Sequence, residues 1–423
     1  MPCFSLSSIS ARKKRAFPLL PVAAGFAALL NSIAAYGQIG LSLHDAILQA
    51  QNSPSARMTQ AQIDEAHGQV TQAGLRPNPR LYLQSEDLRP WANNFDFSNN
   101  TEDYGYLSQT IETAGKRSRR LQLANANMQQ TEADRTLQMQ QIAGRAAASY
   151  WNTVSTAQIS KLLQQDLSAV DDMVRYHQER VAAGAMRGAD LLRMQIERDR
   201  LFIALEAARR EAVLARVDLG RQIGRPLNED VVLSDSIDAP DPVPYEDLAT
   251  VLAERPDVTL AEDGVTAAEA DLKLQKSLGV PDLDLLGGYK RNSGANTLYG
   301  GLQIPLPFGN RNQGQVQRTQ ASIRLAQNQL EEAKLMAQTD VAAATEAYTR
   351  EQEIVEKTLP DMRARAKQNL AIMSDAYRTE GVDLLRYIDA ERTEMDVEVN
   401  ALRTLAEYHQ SALRLKLAYG VQP

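Results

Sequence analysis

Hydrophobic positions along this 423-residue chain change their period in a fixed order, and the order occurs twice. Ser42 is a good helix N-cap with Asp45 three residues on, and helical spacing then runs to about Ala73. Gly74 and the triplet Pro77-Asn78-Pro79 end that helix. From Arg80 the period falls to two, with Leu81, Leu83 and Ser85 on one face and Tyr82, Gln84 and Glu86 on the other. A loop rich in Asn and aromatics (91–100) leads to a second alternating stretch, Tyr104 to Ile111, so strands are predicted at about 80–88 and 103–112. From Ser118 to Ala183, 66 residues pass without proline and with one internal glycine, Gly144. As one helix this would be about 100 Å long. Its apolar positions are sparse (Leu121, Met128, Leu137, Ile142, Val154, Ile159, Leu163). So thin a stripe suits helix-on-helix packing with a wet opposite face. Gly184 breaks the run, and a return helix is predicted over 189–220.

The second pass repeats this order. Pro54, Met58, Ile63, Pro79, Leu81 and Leu83 recur as Pro256, Leu260, Val265, Pro281, Leu283 and Leu285. Asp190-Leu191-Leu192-Arg193 recurs as Asp383-Leu384-Leu385-Arg386, and Gly224 as Gly420. Strands are predicted at about 282–290 and 297–306, and helices over 313–378 and 383–419, with a break at Gly381. Pro360 should kink or break the first of these helices. A period near 200 residues is too long for a solenoid, so the chain reads as a duplicated unit, 38–224 and 245–423. Between the copies, 225–244 is rich in proline and aspartate (Asp230, Asp235, Asp238, Asp241) and reads as an irregular, solvated connector.

Composition changes the picture at the N-terminus. Arg12 to Arg15, an apolar stretch to Leu30 and small residues to Gly37 make 1–37 a secretory signal peptide by pattern. Its removal would take four of 46 basic residues and none of 53 acidic ones, moving the net charge from −7 to about −11. Such a chain is a poor partner for nucleic acid. The single cysteine, Cys3, lies in this segment, so the mature protein would have no disulfide. Beyond residue 37 no apolar run approaches the roughly 18 residues of a membrane helix. Entry into a bilayer would therefore be by strands. Four strands cannot close a membrane barrel, because the smallest have about eight and an open edge in lipid leaves backbone groups unpaired. Several chains would have to share one.

The segments AGLRPNPRLYLQSE (73–86), SQTIETAGKRSRRLQLA (108–124), GLQIPLPFGNRNQGQV (301–316) and EGVDLLRYIDAER (380–392) resemble outer-membrane factors of tripartite efflux systems, the channel-tunnel family. The first three are most similar to the branch serving heavy-metal cation exporters of the cobalt–zinc–cadmium and cobalt–nickel kind. The resemblance implies a mostly α, internally duplicated protein with a small β part. Four strands from each protomer of a homotrimer would make a 12-stranded barrel in the outer membrane of a Gram-negative bacterium. The long antiparallel helices would form an α-barrel through the periplasm. It also implies a periplasmic adaptor, an inner-membrane resistance-nodulation-division pump and outer-membrane lipid as partners. The adaptor would dock at the tip turns, Ala183, Gly184 and Ala185 with Glu380, Gly381 and Val382. An acidic gate ring would have its nearest counterpart in Asp389, with Arg386, Asp383, Asp190 and Arg193 as charged neighbours.

The four histidines, His44, His67, His177 and His409, lack the spacing of a helical metal clamp and read as surface or packing residues. No phosphate loop, nucleophile elbow or metal-ligand cluster is visible in the sequence, so neither an enzyme nor a cofactor is expected. Two alternatives stay open: a channel of the same type exporting drugs or polypeptides, and a periplasmic coiled-coil adaptor or structural protein without a barrel.

Overall fold

A computed structural model describes residues 40–421 apart from Glu229, Ser293 and Glu380. The expected signal peptide, 1–37, and the tip candidate Glu380 lie outside the described residues. The chain begins with β1 (Gly40–Leu41), α1 (Leu43–Gln51) and α2 (Pro54–Gly74). Ser42 and Asp45 form a reciprocal capping box at α1, and Ser53 caps α2 with Pro54 at its start. The single helix expected from Ser42 to about Ala73 is therefore split in two at Asn52 and Ser53, where Pro54 lacks the N–H that a continuous helix would need. β2 (Arg80–Glu86), the short α3 (Phe97–Asn100) and β3 (Glu102–Ile111) make the first hairpin. α4 (Lys116–Ala182) then runs unbroken for 67 residues and returns as α5 (Gly188–Ile223). The connector carries β4 (Val232–Leu233), followed by α6 (Leu248–Glu254) and α7 (Pro256–Leu278). The second hairpin is β5 (Leu283–Asn292) and β6 (Ala295–Gln303).

The second long helix is divided. α8 (Gln313–Glu353) passes through a π-helical segment, Ile354–Thr358, into α9 (Leu359–Arg378), and α10 (Leu384–Ala418) returns. Pro360 sits in the first turn of α9. Its ring and missing N–H disturb the preceding turn, and the wider π turn absorbs the conflict without ending the helix.

The four longer strands form one antiparallel sheet in the order β2-β3-β5-β6, so the two copies are joined through β3 and β5. Its register puts Arg80, Tyr82 and Gln84 on a polar face with Tyr104, Tyr106, Lys290 and Tyr299. Leu81, Leu83, Leu107, Leu285, Leu298 and Leu302 share the other face and are all exposed. Tyr82 stacks on Tyr106 at 4.7 Å, and Tyr106 reaches Tyr299 edge-on at 5.9 Å across Gly288. A Cβ on Gly288 would lie 2.4 Å from Gly105 O and from Tyr106 Cβ, so this approach requires glycine.

Below the sheet, the segments quoted above serve as joints. Lys116, 4% exposed, binds Asp282 at 2.6 Å, and Asp282 also accepts from the Thr113 N–H. Arg120 pairs with Glu112 and donates to the carbonyls of Ala73 and Leu75. These bonds tie hairpin ends to helix starts.

The helical core is a seam. Tyr150, Trp151, Val154, Ile159 and Leu163 of α4 pack with Met194, Leu201 and Leu205 of α5 and with Leu402 and Leu405 of α10. Nearer the sheet, alanines replace large side chains: Ala126 meets Ala267 and Ala270. Leu121, Met128 and Leu137, expected on the apolar stripe, are only half-buried there.

Most of the connector is exposed, as expected of a solvated loop, but it is also pinned to the helices at several points. β1 pairs with β4 in parallel, and Asp235 accepts from the Leu43 N–H and the Tyr150 hydroxyl, both at 2.6 Å. Asp238 binds Arg363 at 3.0 Å and Asp241 binds Lys416 at 2.7 Å. The tyrosines Tyr348 and Tyr408 accept from the N–H groups of Val243 and Asp241. Asp235, Asp238 and Asp241 thus hold the segment against the helices, while Asp230 is exposed.

Candidate gate at the helix turns

Two turns close the far ends of the long helices. After α4, Gly184 adopts φ +68° and its N–H donates to Val181 O at 3.0 Å, while Ala185 donates to Arg180 O at 2.9 Å. These two bonds make a Schellman stop with Gly184 in the left-handed position. After α9, Gly381 donates to Ala376 O at 2.8 Å, the bond that Ala185 makes in the first turn. Gly381 is therefore the counterpart of Ala185, and the expected equivalence of Gly184 and Gly381 is corrected by one residue. The matching Asp-Leu-Leu-Arg segments are also out of step. Asp383 is the N-cap of α10, its carboxylate accepting from the Arg386 N–H at 3.1 Å. Asp190 lies in the first turn of α5, whose N-cap is Arg187. Both acids face a helix N-terminus, where negative charge is favoured.

The turns enclose a cleft of about 760 Å³. Ala185, Asp190 and Arg193 line it from the first copy, and Val382 and Asp383 from the second. Ala183, Gly184, Gly381, Arg386 and Asp389 are exposed and do not line it.

Several cleft residues had not been singled out: Tyr176, Arg180, Arg187, Tyr377, Arg378 and Tyr387. Beside them, His177 is fully buried. Its Nδ1 lies 2.6 Å from Met173 O, which can only accept, so in the neutral ring that nitrogen carries the proton. Nε2 then accepts from the Tyr377 hydroxyl at 2.6 Å. Tyr377 stacks on Tyr387 at 5.2 Å, and burial raises the pKa of both phenols. This network links α4 to α9 and α10. The weak signal for it in sequence is separation: His177 and Tyr377 stand 200 residues apart, close to the repeat period. Further along, Arg392 of α10 donates from Nε to Glu197 of α5 at 2.8 Å, and Arg363 of α9 makes a forked pair with Glu398. Among the described residues no group of His, Cys, Asp and Glu could hold a metal ion.

Paired long helices, with a four-stranded sheet at one end and capped turns at the other, define the fold of an outer-membrane channel. The open-state MtrE outer membrane channel of Neisseria gonorrhoeae is similar at TM-score 0.76 and 20% identity, over 90% of this chain and 89% of that one. Sequence carries the assignment further. The profile of the outer membrane efflux protein family matches residues 48–225 and 248–421, and the chain belongs to that family. It is similar to Outer membrane efflux protein BepC of Brucella suis biovar 1 (strain 1330), 25% identical over 201 residues, or 45% of this chain and 42% of BepC. It is also similar to Protein CyaE of Bordetella pertussis (strain Tohama I), 24% identical over 253 residues, or 56% of this chain and 53% of CyaE. The chain thus spans about half the length of the curated relatives it matches. Membership places the protein in the Gram-negative outer membrane, in a family of channels and not of enzymes.

Proposed function

We propose that the protein is the outer-membrane channel of a tripartite efflux system, a passive duct from periplasm to exterior. The observation that carries this is the sheet: one polar face, one exposed leucine face, and outer strands β2 and β6 that each lack a second partner among the described residues. In lipid such edges must be paired, and three chains would close a 12-stranded barrel with the leucines and Tyr289 outward and Tyr82, Tyr104, Tyr106 and Tyr299 inward. The long helices would continue the duct, and the processed chain would begin after the signal peptide. The cleft, with half-buried Val382 in its wall, and the exposed turn residues Ala183 to Ala185 and Gly381 would receive the periplasmic adaptor. Asp389 and Arg386, with Asp383, Asp190 and Arg193, would set the charge of the gate. Because no energy-coupling module is visible in the sequence, the drive would come from an inner-membrane proton-driven pump.

The cargo we assign is heavy-metal cations of the cobalt, nickel, zinc and cadmium class, on the similarity of 73–86, 108–124 and 301–316 to that branch. The test has two readouts. Native mass in detergent should give three protomers; a well-folded monomer that conducts ions would refute the assembly. Deleting the gene should sensitise cells to these metals. Unchanged metal tolerance with new sensitivity to drugs would reject the cargo and keep the channel.

A further inference from the structure

The seam between α4 and α10 holds two carboxyl groups that the channel reading does not use. Asp166 Oδ2 and Glu391 Oε2 are shut off from solvent and have no hydrogen-bond partner among the described residues. They belong to different copies of the repeat, and their surroundings are mostly acidic. From α5, Glu197 acts on Glu391 but is engaged by Arg392, with Arg200 at 3.8 Å. From α10 come Glu394, which acts on both, and Glu398, which acts on Asp166. α9 supplies Arg363, bound to Glu398 and Asp238, and Lys367, which acts on Glu394. Tyr387 is hydrogen-bonded to the Glu391 carboxyl and favours its ionised form, against the larger opposing effects of burial and the neighbouring acids. The nearby cations are thus directed at other acids. Burial first, then repulsion from these neighbours, raises Asp166 to about 6 and Glu391 to about 7.

We propose that Asp166 and Glu391 form a proton-operated clasp between α4 and α10. Protonated, the two carboxyls are neutral and the seam stays packed. Ionised, both carry charge in a half-buried, mostly acidic seam whose cations are engaged elsewhere, and α10, which carries Asp383 and Asp389 to the tip, is released. The clasp rests on the gate reading above. Because the packed seam holds both protons more tightly than a hydrated carboxyl does, packing is favoured at low pH and weakens as pH rises through these values. With an ordinary value near 4.3 in the loosened state, Glu391 alone would shift the balance about tenfold toward loosening between pH 6 and 8.

The experiment uses the full trimer. Hydrogen exchange of peptides from 384–398, corrected for intrinsic rates, is compared at pH 6 and 8, alongside bilayer conductance. Wild type should lose about tenfold protection and open more often at pH 8. The double variant Asp166→Asn/Glu391→Gln, which mimics the protonated pair, should keep its pH 6 behaviour at both; Glu391→Gln alone serves if the double variant does not assemble. Equal pH responses in wild type and variant would overturn the clasp. So would a change in protection without a change in conductance. Absence of any conductance at either pH would instead overturn the channel reading, with exchange still reporting on the seam.

Discussion

Gly184→Trp separates folding from docking at the tip. Gly184 holds φ +68°, and a Cβ built there meets no atom within 4 Å, so the substitution costs backbone strain without a collision. Left-handed geometry at a non-glycine residue costs about 1–2 kcal/mol, one local term in a chain whose packing lies elsewhere. Both turn hydrogen bonds are made by backbone groups and survive the change. The variant should therefore give normal amounts of outer-membrane trimer, with melting lowered by no more than about 2 °C. The indole would project from the exposed turn where, in the proposed function, an adaptor helix would approach. A loss of only about 1.4 kcal/mol in docking lowers affinity tenfold, so adaptor cross-linking and efflux should fall at least that far. Gly184→Asn, which accepts the left-handed region more readily, should stay near wild type in folding and docking. Gly381→Ala should be milder still on folding, because Gly381 takes the place of Ala185 and its Cβ would meet Ala376 O at 3.4 Å. The measurements are trimer yield, melting and site-directed cross-linking. Full cross-linking in a correctly assembled Gly184→Trp trimer would refute the docking argument; failure to assemble would refute the strain estimate.

Three other outcomes are expected. Gly288→Ala drives a Cβ into Gly105 O and Tyr106 at 2.4 Å, so β3–β5 pairing should fail and unheated gels should show no trimer; a normal trimer band would contradict the register. Asp389→Ala, at an exposed position on α10, should raise single-channel conductance below roughly 0.15 M salt, where screening extends about 8 Å, and a flat response there would remove Asp389 from the gate. Asp241→Asn should cost about 1.5 kcal/mol at neutral pH. Burial opposes ionisation of Asp241, yet Lys416 at 2.7 Å and His409 at 3.9 Å hold its pKa below the ordinary value. Its contribution is present above the ordinary carboxylate range and is lost as pH falls through the lowered pKa. The melting difference from wild type should therefore be largest near pH 7 and vanish in acid, and a difference independent of pH would show that charge is not its source.

The features legible in the sequence are those set by neighbours along the chain. The period-two stretches are strands in the structure, the long proline-free run is α4, and Ser42 and Gly184 cap the helices they adjoin, whereas the cap at Ser53 went unread. Pro360 announced a disturbance, although only the fold shows that a π turn absorbs it. These are effects of backbone sterics, local hydrogen bonding and side-chain period, which act within a few residues. What lies across an interface was not legible. The pairing of β3 with β5, the alanine contacts between α4 and α7, and the pinning of the connector by Tyr150, Tyr348 and Tyr408 all join distant segments. The one-residue offset between Gly184 and Gly381 was hidden because both glycines follow a helix, and only the hydrogen bonds tell C′ from the residue after it. Asp166 and Glu391 look like ordinary charged positions on wet helices. Their proton affinity is decided by desolvation and by which charges face them, and those quantities exist only once α4, α5 and α10 have packed.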